Sequence, residues 1–204
     1  MSDLPLGYLS VFPVQYHRHQ IASGIIGVQH ARPNHPVDIT FGRSFAGLRN
    51  DGQDDHNAID IMGARGLRIV AACAGTVAQN WRTRDGEHPG AGTSAGGGNF
   101  VVIIDNNRGY YHYYAHMEAP PIVYPGQTIV AGQLLGYLGD TGKARGTPPH
   151  LHYQVSIRND RGMLQSFLNP YPDLFRLAAR WHPQVSTGGR VVIPVSHGGP
   201  SGFG

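Results

Sequence analysis

The sequence predicts a mainly β protein, an antiparallel β-sheet or sandwich with few short helices. Three observations carry the prediction. Glycine is abundant, at 29 of 204 residues, while charged residues make up only 14%. That composition suits a loop-rich globular chain and argues against a coiled coil or a disordered one. Short runs rich in Val, Ile, Tyr and Phe recur between Gly, Pro and Asn, the punctuation of strands and turns. Sustained helical periodicity is missing. Strands this closely spaced are joined by turns, not by helical crossovers, so they pair antiparallel.

Taken in chain order, residues 1 to about 32 show little period and read as an N-terminal arm packed on the domain. The main domain is expected over 33–176. Within it "LRIVAA" (67–72) and "GTVAQNW" (75–81) are strands separated by a bend at Cys73 and Ala74. "NFVVIID" (99–105), "YYHYYAH" (110–116), "QTIVA" (127–131), "QLLGYLG" (133–139) and "LHYQVSI" (151–157) follow. "GEHPGAGTSAGGG" (86–98) reads as a flexible loop by composition. The best helix candidate is "PDLFRLAARW" (172–181), with Pro172 near its start. Residues 177–204 read as a Gly-rich C-terminal extension, whose end "VSHGGPSGFG" is expected to be poorly ordered or partner-dependent.

The bulk numbers narrow the function. A net charge of +3 and a pI near 9.2 are mildly basic and fit an anionic polymer. No Lys/Arg run with interleaved aromatics supports nucleic-acid binding. The single cysteine, Cys73, excludes an internal disulfide and a Cys-based zinc knuckle, and reads as a small buried hydrophobe. No segment has the length of a transmembrane helix. The start "MSDLPLGYLS" lacks the marks of a signal peptide.

Twelve histidines stand out, and their positions matter more than their number. In a strand at "PHLHYQV", His150, His152 and Gln154 share one face, and Leu151, Tyr153 and Val155 the other. The two imidazoles then lie roughly 7 Å apart along the strand and can converge on one small volume. They could be two ligands of one metal, a ligand and a catalyst, or two ordinary strand histidines. By the same alternation His112, Tyr114 and His116 share a face of "YYHYYAH". "HNAID" places His56 and Asp60 four residues apart, one helical turn or a bent strand. Neutral imidazole and carboxylate are both good zinc ligands. Metallo-β-lactamase-type sites usually read H-x-H-x-D, and Gln154 stands where that Asp would be.

Together these elements, in this order, resemble the lysostaphin/LytM-type zinc metallopeptidases, which cut peptides of bacterial cell walls. "FGRS" (41–44) is similar to the family's Phe-Gly element, and "HNAIDI" (56–61) to its H-x-x-x-D motif. "LRIVAACAGTV" (67–77), "GGGNFVVI" (96–103) and "YYAHM" (113–117) resemble the following strands. "PGQTIVAGQLLGYLGDTG" (125–142) resembles the hairpin that ends in Gly-x-Thr-Gly, and "PHLHYQV" (149–155) the His-Leu-His-aromatic strand. The resemblance covers about residues 35–172. Ala58 replaces a common Gly and Met117 a common Leu, and the loop at 82–98 looks enlarged.

The resemblance implies a sheet that forms a groove with a zinc site. It implies one zinc per chain held by His56, Asp60 and His152, with the fourth position left to water. His116 and His150 become the catalytic pair, while Tyr114, which shares the predicted face of His116, is a candidate substrate or oxyanion contact. The remaining histidines, His17, His19, His30, His35, His88, His182 and His197 among them, are expected to be ordinary. The implied activity is a peptidoglycan endopeptidase of the DD-endopeptidase type, acting on stem peptides or cross-bridges. Its partners would be peptidoglycan peptides, with no nucleic acid and no integral membrane segment; a delivery machinery or an immunity protein stays open. Its site of action would be the periplasm or cell wall, reached by a secretion system, phage or lysis. A non-catalytic wall-binding or hydrolase-activator domain and a zinc protease acting on a protein are the competing readings.

Overall fold

The longest strand, His150–Arg158, runs through the middle of the fold. Its pleat follows the predicted alternation: Leu151, Tyr153 and Val155 enter the main core, leaving His150, His152 and Gln154 on the opposite face. The computed structural model describes residues 2–15, 39–42, 45, 47–48, 55–83, 86–159, 161–179, 184–185 and 189–193. Arm residues 16–32, Arg43 and Ser44 of "FGRS", the tail 195–204, and His17, His19, His30, His35, His182 and His197 lie outside the described residues.

One flank of the central strand carries, in order, Tyr111–Met117, Gly98–Asp105, Gly75–Val77 and Thr128–Ile129. The other carries Ile59–Met62, Ile39–Phe41, Val191–Ile193 and Gln184–Val185. Ser2–Asp3, Ala91–Ser94 and Leu164–Asn169 complete a sheet of twelve strands among the described residues. Its pairings are antiparallel except that of Ser2–Asp3 with Leu164–Asn169. A second sheet of Leu134–Tyr137, Arg68–Val70 and Val14–Gln15 brings Leu135, Ile69 and Val14 into the same core cluster. The result is a sandwich, mainly β as predicted. The Ile59–Met62 and Leu164–Asn169 strands were not expected from sequence; the second carries Gln165, Ser166 and Asn169 and shows little apolar alternation.

The helix forms at Tyr171–Ala179, one or two residues ahead of its predicted bounds. Asn169 Oδ1 accepts the Tyr171 N–H at 3.1 Å and caps its start. Tyr171, Leu174, Leu177 and Ala178 are buried, the spacing of one helical face. Asp173, fully buried, accepts the Gly7 and Leu9 N–H groups at 2.7 and 2.6 Å. Arg176 donates to Asp173 and to the Leu9 carbonyl. These bonds clasp residues 7–9 to the helix while Leu4, Leu9, Phe12 and Val14 fill the core. Burying each such side chain contributes about 1.5–3 kcal/mol.

The other face of the main sheet has its own apolar cluster of Ala78, Trp81, Phe100, Val102, Tyr113 and Ala115. The hairpin of Asn80–Thr83 and Gly86–Pro89 carries Trp81 onto it. Segment 86–98, expected to be a flexible loop, contains two strands, Gly86–Pro89 and Ala91–Ser94. Gly90 shows why composition misled: a Cβ there would lie 1.9 Å from the Ala78 carbonyl oxygen. The glycine permits close packing rather than supplying flexibility. Among the described residues no helix is long and apolar enough to cross a membrane.

Asp105 ties the two ends of this framework. Its carboxylate accepts the Asn107, Arg108 and Tyr110 N–H groups and the Tyr8 hydroxyl at 2.8–2.9 Å, and faces His112 Nε2 at 3.2 Å. Burial raises its pKa, but these donors, His112 foremost, outweigh burial and hold the carboxyl well below the usual range. A depressed carboxyl contributes stability that is complete above its unfolded pKa, about 3.9, and is lost as pH falls through the folded value. Urea denaturation should therefore show wild-type stability falling below about pH 4. Asp105→Ala should lower stability at pH 7 by about 3 kcal/mol and flatten that fall.

Candidate metal centre

Sheet register brings the site together. His152 stands directly opposite Asp60 across the antiparallel pair, where side chains on one face meet. His56 ends the Asp55–His56 strand, four residues before Asp60. The Asp60 carboxylate faces both imidazoles: Oδ2 lies 3.0 Å from His56 Nε2, and Oδ1 lies 3.0 Å from His152 Nδ1. Donor atoms of the three residues all lie within 4.8 Å of one another. Burial would raise the Asp60 pKa, but its bonds with His152 and His56 dominate and hold it well below the usual range. Two imidazoles and an ionised carboxylate are a donor set that suits zinc.

Two further histidines border this group. The His150 ring is 5.0 Å from that of His116, which is 5.7 Å from that of His152. His150 Nδ1 lies 2.9 Å from the Pro148 carbonyl and His116 Nδ1 lies 2.8 Å from the Thr141 carbonyl. A carbonyl only accepts, so each Nδ1 carries the hydrogen, and in a neutral ring Nε2 keeps its lone pair. The His116 pKa is pushed down to about 4 by burial and by neighbouring His152 and His150, against the pull of the Thr141 carbonyl.

His116 reaches this place by an irregularity. In a regular pleat it would point with Tyr114 and His112 into the main core. Its φ of 67 places it in the left-handed region, at a bulge where the pairing with Gly98–Asp105 shifts register. The imidazole thereby joins the face of Ala115, which stands opposite His152. Its backbone N–H donates to the Gly97 carbonyl at 2.8 Å.

The expectation that His112 and Tyr114 share the His116 face is thus corrected. Tyr114 is fully buried in the main core, and its hydroxyl accepts the Ala72 N–H at 2.9 Å. It is a core residue, without the exposure a substrate or oxyanion contact needs. His112 is likewise fully buried, between Asp105 and the Tyr153 hydroxyl. The tyrosine beside the cluster is Tyr113, edge-on to His152 at 6.2 Å. The bulge that reverses these faces has no signal in simple alternation.

A close glycine contact holds the bulge. Gly98 and Gly142 both have positive φ, 61 and 69, and a Cβ on Gly142 would lie 2.2 Å from Gly98 N. Beside this contact Thr141 Oγ1 accepts the Asn99 N–H at 2.9 Å and donates to the Met117 carbonyl at 2.7 Å. Asn99 Nδ2 donates to the same carbonyl at 3.1 Å.

The chain belongs to peptidase family M23, whose model matches residues 54–163. That span holds His56, Asp60, His116, His150 and His152. Three solved structures share its fold. A Ruminococcus gnavus protein assigned as the glycyl-glycine endopeptidase LytM is 23% identical, with a TM-score of 0.57 over 83% of this chain and 60% of that one. The catalytic domain of the prophage-encoded M23 protein EnpA from Enterococcus faecalis is 23% identical, with a TM-score of 0.50 over 65% and 89%. The antimicrobial peptidase lysostaphin from Staphylococcus simulans is 27% identical, with a TM-score of 0.50 over 67% and 49%. The chain therefore spans 60% of the first and about half of lysostaphin. No curated protein matches it by sequence.

Gly142→Ala tests the latch. It adds an atom where no space exists and strains a left-handed residue. Urea denaturation should show a loss of about 2 kcal/mol or more, and a change under 0.5 kcal/mol would show the contact to be dispensable.

Proposed function

We propose that this chain is a zinc-dependent endopeptidase that hydrolyses peptide bonds in the stem peptides or cross-bridges of bacterial peptidoglycan, of the DD-endopeptidase type. The observation that carries the reading is the His56–Asp60–His152 group beside His116 and His150, inside the span that matches a peptidase family. These three residues would hold one zinc. When bound, zinc supplies Lewis acidity that polarises a carbonyl and lowers the pKa of water toward about 7.

The rest of the chemistry falls to the protein. The His116 and His150 rings lie 5.0 Å apart with each Nδ1 bonded to a carbonyl, so in a neutral ring the Nε2 of either can take the proton of an attacking water. The imidazolium formed can donate a hydrogen bond to developing oxyanion charge and return its proton to the leaving amine. Burial of His116, which keeps it neutral at pH 7, suits it to start as an acceptor. Asp60, whose carboxyl is held well below the usual range, would serve as the anionic ligand beside His56 and His152. The resemblance to lysostaphin, an antimicrobial peptidase, supports a cell-wall substrate. The inferred site of action is the periplasm or cell wall.

Two substitutions separate the roles. Metal analysis should find about one zinc per chain in the wild type and little in His152→Ala, which should also be inactive. His150→Ala should keep its zinc while losing on the order of 10²–10⁴-fold in activity, read by mass spectrometry of digested peptidoglycan. Loss of zinc from His150→Ala would contradict this division of labour. Wild-type protein that stays inert with zinc supplied would end the peptidase reading.

A further inference from the structure

Beyond the five site residues, the same face of the sheet carries a cation that has no counter-ion among the described residues. Arg158 ends the central strand, where the pairing with Leu164–Asn169 shifts register, and its contact with Trp81 places it on the face of Tyr113, Ala115 and His152. Its guanidinium carbon sits 3.8 Å from the centroid of Trp81 and 5.8 Å from that of Tyr111. Nη1 donates to the Gly162 carbonyl at 2.7 Å, and Nε has no partner. Among the described residues no carboxylate lies within ion-pairing distance of it, although the side chain is only partly exposed. Burial lowers its pKa, the expected cost of holding charge against aromatic rings without an acid nearby.

The guanidinium is also held in place. Asn159 Oδ1 accepts the Arg161 and Met163 N–H groups, and the Gly162 N–H donates to the Asn159 carbonyl. This tight turn fixes the Gly162 carbonyl that orients Arg158. Below the guanidinium, Trp81 stacks on Tyr113 at 5.3 Å, and Tyr113 meets His152 edge-on at 6.2 Å. These steps put Arg158 within about 15 Å of His152, a span an extended peptide covers in about four residues. Gln154, partly exposed, lies between them on the same strand face.

We infer that Arg158 is a substrate subsite that binds a free carboxylate of the peptide within about four residues of the bond cleaved. The inference rests on the peptidase reading above and adds a specificity to it: acidic peptide ends are preferred over amidated ones. A planar guanidinium fixed on an aromatic platform meets a carboxylate with paired N–H groups, which a neutral amide matches poorly.

The test uses purified cross-linked muropeptides, native or with carboxylates converted to amides. Calorimetry on zinc-loaded His150→Ala, which should bind without turnover, should show about tenfold weaker binding of the amidated ligand. Adding Arg158→Gln should abolish the difference, and Arg158→Lys should restore part of it. A ligand amidated only at the C-terminal carboxylate distinguishes the source: weakening there assigns the terminus, and weakening only on full amidation assigns a side chain. On the otherwise unaltered protein, Arg158→Gln should raise KM about tenfold for the native ligand and leave kcat unchanged. Equal binding of both ligands, or an equal loss with both in Arg158→Gln, overturns the inference. Cleavage without carboxylate preference would do so while leaving the peptidase reading intact. Zinc-loaded wild type that binds native ligand more tightly but cuts neither would fail that reading alone.

Discussion

One left-handed residue decides what the site face contains. A side chain with positive φ costs on the order of 1–2 kcal/mol. At His116 this is offset by several bonds: its N–H to Gly97, its ring to Thr141, and the Asn99 and Thr141 bonds to the Met117 carbonyl. Without the bulge Ala115 alone would face His152, and the His116 imidazole would be driven into a full core. The segments around residues 96–99 and 139–142 are therefore parts of one device, although about forty residues separate them. Their glycines are small because two backbones must touch there.

The sequence revealed the site where the pleat is regular and hid it where the pleat breaks. His150–Arg158 keeps its alternation over the residues that matter, so His150 and His152 were correctly placed on one face. Tyr111–Met117 reads the same way, and alternation there assigned Tyr114 and His112 to the wrong side. A period-2 pattern contains no term for an inserted residue. The meeting of Asp60 with His152 is a matter of strand register, which ninety intervening residues do not specify locally. Motif order supplied what periodicity could not, through resemblance to a family.

Composition was a weaker guide still. Segment 86–98 is glycine-rich, yet Gly90 lies where the Ala78 carbonyl leaves no space for a side chain. Its Gly86–Pro89 strand pairs with the one that bears Trp81, and Trp81 in turn stacks on Tyr113 and lies under Arg158. This segment thus lies on the side of the sheet that holds the histidines. On the opposite side the N-terminal residues are structural: Asp173 and Asp105 accept their donors, and their apolar side chains complete the core between the sheets.

Among the described residues the main sheet narrows at both ends of its strand order. Thr128–Ile129 closes one end and Gln184–Val185 the other, each two residues long. An unpaired strand edge is a template on which another chain can add, and its reach scales with its length. Among the described residues, a sheet whose central strand runs to nine residues therefore ends, at Thr128–Ile129, in a border with only a few unpaired backbone groups. The breadth needed to seat the histidine cluster is kept apart from the exposed ladder that invites aggregation.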